Sequence, residues 1–281
     1  MNLTSPSQVK AWCIENDFHP NKVLGQNFLI DRNALVSIVD AGLAGADAAG
    51  AEVLEIGPGL GVLTEEMLAR GCSVTAVEKD PVLAARLASS LGDPPRLRVV
   101  AGDALDLVAG RLGPAEGAGS DPLPRFTHMI SNLPYQAGTR ILLELVQARE
   151  IPSMTVLVQT EVAERLAAKE GSKTRGLAGV WAQLDYDVRI VRKVAASCFW
   201  PRPEIGSSVV TLTRHDRNVA LSEKERAVFR RLTKKAFEHR RKQLGSVFKD
   251  LIQSQLRAEQ LANEDWINLS KGIAENAEED C

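Results

Sequence analysis

Cysteine, histidine and tyrosine are scarce in this chain, and long apolar runs are missing altogether. Its 281 residues include four cysteines, four histidines and two tyrosines. Cys13, Cys72, Cys198 and Cys281 stand far apart with no CxxC pair, which excludes a disulfide-stapled scaffold and a thiolate zinc site. The histidines are isolated as well, so no metal is expected. No stretch approaches the roughly 20 apolar residues that span a bilayer. The N-terminal MNLTSPSQVKAW lacks the apolar core of a secretory signal. A cytoplasmic monomer with reduced thiols is the expectation. Net charge is scarce too, at −2, which argues against a uniformly basic nucleic-acid binder.

That balance conceals segregation. Residues 226–249 read RAVFRRLTKKAFEHRRKQLGSVFK, with Glu238 as the only acid. Residues 250–281 carry eight acids against Arg257 and Lys271. A polyanion meets the local field, and here that field is basic.

With 44% hydrophobic and 25% charged residues, the composition is that of a globular protein. Its length suits one large domain, or an ordinary one with a smaller companion. Ser5 and Pro6 read as an N-cap followed by proline at the first helical position, opening a helix to about residue 16. Asp31 is suited to cap a second helix to about residue 43. Short apolar runs then alternate with helical patterns. Strands are expected at 52–56, 73–77, 97–100, 126–130 and 155–159, and helices up to 69, at 81–91 and at 139–148. A Gly/Pro-rich loop lies around 109–125. This rhythm predicts a doubly wound, Rossmann-like α/β sheet. Further strands at 186–194 and 207–213, joined through a proline-containing loop, would end it in an antiparallel hairpin. Beyond that the pattern is helical, which predicts a domain of residues 1–217 and a small all-α domain of 218–281.

The first strand turns into its helix through Gly57-Pro58-Gly59-Leu60-Gly61. Glycines serve where the chain bends sharply and its backbone must approach a ligand, and the helix N-terminus beyond offers unpaired N–H groups. The spacing is GxGxG rather than GxGxxG. Glu78 ends the next strand, where a carboxylate can accept ribose hydroxyls; Lys79 follows it. Asp103 and Ala104 follow the third strand, where a carboxylate can take an adenine amine. Three such strand ends define a crevice fit for an adenosine. They do not separate NAD from S-adenosylmethionine.

After the fourth strand comes Ser131-Asn132-Leu133-Pro134-Tyr135. An aryl amine is a poor nucleophile because its lone pair is delocalised into the ring. Acceptors on both N–H bonds, holding the nitrogen in line with a sulfonium methyl, are a remedy. Asn132 can offer its side-chain oxygen; Leu133, held extended by Pro134, can offer its carbonyl. Tyr135 offers a ring face worth ~1–3 kcal/mol in stacking. Read alone, the same residues also describe an Asn-x-Pro turn. Phe199, ahead of Trp200-Pro201-Arg202-Pro203, is either a clamp on the base's other face or a hydrophobic plug on the sheet.

These residues together resemble the ribosomal RNA adenine dimethyltransferases, which include the small-subunit dimethyladenosine transferases and the erythromycin-resistance methylases. The matching segments are GQNFL at 25–29, EIGPGLGVLT at 55–64, VEKD at 77–80, GDAL at 102–105, SNLPY at 131–135 and FxPxPxIxS at 199–207. AFEHRRKQL at 236–244 is similar to an RRK-containing segment of the small-subunit enzymes. The resemblance implies a class I methyltransferase fold and S-adenosylmethionine as cofactor. Gln26, Asn27, Leu29, Gly57, Glu78, Asp103 and Asn132 would bind it or close its pocket. Asn132, Leu133 and Tyr135 would hold the adenine opposite Phe199. The implied substrate is two adjacent adenosines in the 3′-terminal hairpin of 16S rRNA, dimethylated at N6 in a nearly mature small subunit. Arg175 stands where the family often has tyrosine.

The implied RNA contacts are Arg230, Arg231, Lys234 and Lys235 on a helix over 222–238, with Arg240, Arg241 and Lys242 after it. Arg230, Lys234 and Arg241 share helical spacing, as do Arg231 and Lys235. A resistance-type 23S methylase and a non-catalytic assembly factor are the alternatives. The second would be expected to lose NLPY or GxGxG.

Overall fold

The computed structural model describes residues 1–21, 24–110, 123–218, 221–249 and 251–279, the side chains of 276–279 excepted. Most of the connection expected around 109–125 lies outside the described residues, as do the first and the last two residues of the acidic tail.

The chain divides into two compact units. The first holds residues 1–163 and 189–214, the second 164–188 and 215–281. The first is built on β1 (Glu52–Ile56), β2 (Ser73–Glu78), β3 (Leu97–Ala101), β4 (His128–Asn132), β5 (Ser153–Gln159), β6 (Tyr186–Val194) and β7 (Ser207–Arg214). Their order across the sheet is β3-β2-β1-β4-β5-β7-β6. β3 through β5 pair in parallel, and β7 runs antiparallel to β5 from Ser153↔Thr213 to Gln159↔Ser207. Parallel strands are covered on both faces, so β1 and β2 are almost continuously buried rather than alternating. Strand order reverses between β1 and β4, and ligands of open α/β sheets bind beyond the strand ends at such a point.

The helices begin where the chain offers caps. α1 (Pro6–Glu15) opens on proline. α2 (Arg32–Gly42) starts at Asp31, whose carboxylate accepts the Ala34 N–H. α3 (Val62–Ala69) follows the glycine turn, and Asp80 caps α4 (Pro81–Ser90) through the Val82 and Leu83 N–H groups. α5 (Ala104–Val108) and α6 (Gly138–Ala148) complete the crossovers. α2 and α3 bury Leu35, Ile38, Val39, Leu63 and Met67 against Val53, Val74 and Ile130 of the sheet.

The second unit is helical. It holds the second half of α7 (Thr160–Ala167) with α8 (Leu177–Asp185), α9 (Glu223–Glu238), α10 (Leu244–Phe248) and α11 (Asn263–Glu279). Its own core gathers Val180, Leu184, Phe229, Leu232, Phe248 and the fully buried Trp266. This corrects the single boundary expected after residue 217, because 164–188 belongs here as well. The reason lies in α8. Its Trp181 Nε1 donates to Thr233 Oγ1 at 3.0 Å, and Asn263 Nδ2 donates to the Val180 carbonyl at 3.0 Å. Arg226 of α9 grips Asp185 with two bonds of 2.7 and 3.0 Å. Arg175 is buried with them, donating to the Ala168 carbonyl and to Asn263 Oδ1.

Candidate active site

Beyond the C-terminal ends of β1, β2, β3 and β4 lies a cavity of about 290 Å³. The glycine turn forms its floor. Gly57 and Gly59 have φ of +67° and +60°, values open to glycine and strained for other residues. A Cβ on Gly59 would stand 3.1 Å from the Phe28 ring, so that glycine also permits a close approach. Gly61, expected to bind cofactor, is not among the lining residues. Its φ is +90°, and a Cβ there would meet Leu87 Cδ1 at 2.7 Å. It is a packing glycine between α3 and α4, and the expectation is corrected accordingly.

Glu78 and Lys79 line the wall at the end of β2, and Asp103 and Ala104 at the end of β3. Glu78 Oε2 accepts the Gly59 N–H at 3.1 Å, and Oε1 accepts the Asp80 N–H at 2.8 Å. The carboxylate therefore braces the glycine turn. Burial pushes its pKa up, opposed by those backbone donors. Asp103 pairs with Lys79 Nζ at 2.8 Å, which holds its carboxyl below the usual range, and it caps α5 through the Leu105 N–H.

The N-terminal segment supplies the opposite wall. Gln26 Nε2 donates to Asp80 Oδ2 at 2.9 Å, so the GQNFL segment is tied to the α4 cap. Asn132 Nδ2 donates to the Asn27 carbonyl at 3.1 Å. With one N–H of its amide anchored there, Asn132 has its amide oxygen left to offer a ligand. Leu29 pairs with Phe199 in a two-residue antiparallel bridge, beside Phe28 and Trp200. Leu133, Pro134 and Tyr135 follow Asn132 along the wall. The Tyr135 hydroxyl lies 2.5 Å from Ser207 Oγ at the start of β7, which fixes the ring. Burial raises the phenol's pKa, against the Ser207 bond. β4 ends at Asn132, two residues later than expected, so this asparagine closes the strand and inherits its rigidity.

Phe199 is not brought here. It is 2% exposed and sits in the sheet core with Leu35, Ile38, Val194 and Val209. The hydrophobic-plug reading holds and the base-clamp reading is corrected: pairing with Leu29 turns the side chain inward. Residues not anticipated at the site include Glu55, Phe28, Gly25 and Gln136. Glu55 stood inside the EIGPGLG segment, where its burial beside the turn was the missed signal. Gly25 stood in the GQNFL segment, and the structure gives its reason: a φ of +67° and a Cβ contact of 3.0 Å to the Tyr135 nitrogen favour glycine.

Among the seven basic residues expected to meet RNA, Arg231, Lys234, Lys235, Arg241 and Lys242 are exposed and Arg230 and Arg240 half-buried. α9 ends at Glu238, so Arg241 does not continue the face of Arg230 and Lys234. Arg240 bonds the Lys173 carbonyl and lies 3.7 Å from Glu259. Lys235 Nζ stands over the Phe248 ring at 5.4 Å.

Among the described residues no group of three or more His, Cys, Asp or Glu is placed to hold a metal, and no helix is long and apolar enough to cross a membrane.

Strand order, glycine turn and carboxylate-lined crevice define a class I methyltransferase. Solved structures share the fold: a dimethyladenosine transferase from Plasmodium falciparum has a TM-score of 0.72 at 20% identity, covering 89% of this chain and 98% of its own. The 23S rRNA methyltransferase ErmE has 0.63 at 22% identity, covering 87% and 98%. The ribosomal RNA adenine dimethylase family matches residues 17–280. Proteins called ribosomal RNA small subunit methyltransferase A are similar to this chain. That of Deinococcus radiodurans is 44% identical, covering 75% of this chain and 67% of its own. For Moorella thermoacetica the values are 40%, 86% and 83%, and for Lactobacillus delbrueckii subsp. bulgaricus 34%, 97% and 97%. The chain belongs to the ribosomal RNA adenine dimethylase family, and it is an rRNA adenine dimethyltransferase.

Proposed function

We propose that the protein uses S-adenosylmethionine to convert two adjacent adenosines in the 3′-terminal hairpin of 16S rRNA to N6,N6-dimethyladenosine, during maturation of the small subunit in the cytoplasm. Relatives that carry a small-subunit name at 34–44% identity support the choice of subunit. The cavity suits the cofactor: positive φ at Gly57 and Gly59 keeps side chains off the cradle, and Glu78 and Asp103 offer acceptors for ribose and adenine. Gln26, Asn27 and Leu29 would close it. Bound there, the cofactor supplies an electrophilic methyl group on a sulfonium.

The observation that carries the chemistry is the bond from Asn132 Nδ2 to the Asn27 carbonyl. It fixes the orientation of the amide and leaves Oδ1 available to accept from a ligand. Asn132 Oδ1 and the Leu133 carbonyl take the two N–H bonds of the target amine and aim its nitrogen at the methyl. The Tyr135 ring, pinned through Ser207, stacks on the base. Pro134 keeps Leu133 extended. The methylated nitrogen sheds its proton to solvent, so no strong base is needed, and positioning supplies most of the rate. In the helical unit, Arg231, Lys234, Arg241 and Lys242 grip phosphates, with Arg230 and Lys235 beside them and Arg240 steadying the turn.

The test is incubation with labelled S-adenosylmethionine and unmodified small subunits, followed by mapping of the modified nucleotides. Label is expected on two neighbouring adenosines of the small-subunit RNA. In Asn132→Ala the rate should fall by about 10²–10³-fold, the scale of losing a positioned polar group. Label confined to large-subunit RNA, or an undiminished rate in the folded variant, would sink the reading.

A further inference from the structure

One stretch of the cavity wall comes from ahead of the GQNFL segment. Leu3, in the turn that leads into α1, lines the cavity. Local bonds fix that turn. The Thr4 N–H donates to Asn2 Oδ1 at 3.0 Å, the Ser5 N–H to the Asn2 carbonyl at 3.1 Å, and the Asn2 N–H to Gln8 Oε1 at 2.7 Å. Met1 and Asn2 are left exposed, whereas Leu3 is turned inward and is 6% exposed.

α1 carries this turn and is itself docked. Val9 and Cys13 are buried four residues apart, on one face of the helix, while Lys10 and Ile14 beside them are exposed. The buried face joins Leu3 and Phe18 in one apolar cluster with Phe28, Leu60 and Leu83. Trp12, Phe18, Phe28 and Trp200 follow one another with ring centroids 5.7, 6.3 and 6.4 Å apart. Past the helix end, Asn16 Oδ1 accepts from Arg86 of α4. A helix of ten residues is marginal by itself in water, so the order of α1 depends on the cluster beneath it.

The partners of Leu3 say which part of the cavity it covers. Leu60 belongs to the glycine turn, and Leu83 to the first turn of α4, where Asp80 takes its N–H. Both line the cavity beside Glu78, at the end of β2. Glu78 and Asp103 serve the polar edge of a nucleoside, its hydroxyls and its amine. The flat faces of sugar and base carry little polarity and are desolvated best against carbon. We infer that Leu3 is a cofactor-contacting residue, held by α1 as an apolar cover over the nucleoside half of the methyl donor. This rests on the cofactor site inferred above.

The test uses 5′-methylthioadenosine, which is the nucleoside half with a short thioether, beside S-adenosylhomocysteine. In calorimetry of the full chain, Leu3→Ala should weaken both by the same factor, about tenfold, the scale of losing part of one buried leucine contact. Leu3→Met, which restores the apolar volume, should bind both as the parent does. So should Ile14→Ala, on the exposed face of the same helix. A readout without any variant is amide hydrogen exchange: by linkage, α1 should exchange about tenfold more slowly at saturating 5′-methylthioadenosine. Equal affinity of Leu3→Ala and the parent for 5′-methylthioadenosine would overturn the proposal and leave the cofactor site standing. Exchange in α1 that ignores the nucleoside would do the same, as would a parent chain that binds S-adenosylhomocysteine alone. A parent chain that binds neither probe would overturn both.

Discussion

Tyr135 was expected to offer a face to the target base and Phe199 to be either a second face or a hydrophobic plug, and burial separates the two. Tyr135 lines the cavity with its hydroxyl tied to Ser207, whereas Phe199 is sealed in the sheet core. Phe199→Ala should therefore cost about 3–5 kcal/mol, the effect of emptying a packed aromatic site. A urea titration would read it as a fall in midpoint, while protein kept folded still binds the methyl donor. An unchanged midpoint with abolished methyl transfer would restore the clamp. The glycines teach the same lesson. Gly57, Gly59 and Gly61 all have positive φ, yet two face the cavity and the third faces Leu87. Spacing shows that a turn needs glycine; which glycines meet a ligand depends on what α4 brings alongside.

Among the elements, those with strong local signals were legible. Ser222 and Glu225 form a reciprocal capping box that starts α9, and Asp31 and Asp80 cap α2 and α4 as their neighbours dictate. Ser222→Ala should destabilise the helical unit by about 0.5–2 kcal/mol, visible as earlier loss of its helical signal on heating. No shift would mean the cap is redundant. α7 and α8 escaped notice because their apolar stretches stand close to strand patterns on either side. Residues 164–188 left no local mark of belonging with the C-terminal helices. That membership comes from Trp181, Asp185 and Val180 finding partners on α9 and α11.

For the whole molecule, charge segregation matters more than net charge. The exposed Arg231, Lys234, Arg241 and Lys242 lie in the basic stretch, whereas Arg240 is engaged with Glu259 and the Lys173 carbonyl. Replacing Arg231, Lys234, Arg241 and Lys242 with glutamine should weaken rRNA binding and flatten the log–log salt dependence, by ~0.7–0.9 for every phosphate left without its cation. Affinity for the methyl donor should stay as it was. Binding assays across a salt series check both, and an unaltered slope would remove these residues from the RNA interface.

Read alone, the chain determined the alternating sheet, the glycine turn, the acids at the strand ends and the Asn-Leu-Pro-Tyr turn. All of these are written in short-range patterns of hydrophobicity, capping and backbone freedom. Tertiary structure decided the rest: Phe199 turned inward, Gly61 against Leu87, residues 164–188 with the helical unit, and Glu55 in the cavity wall. Those outcomes depend on meetings between residues far apart in sequence. Such meetings set burial, and burial sets whether an aromatic ring packs or binds.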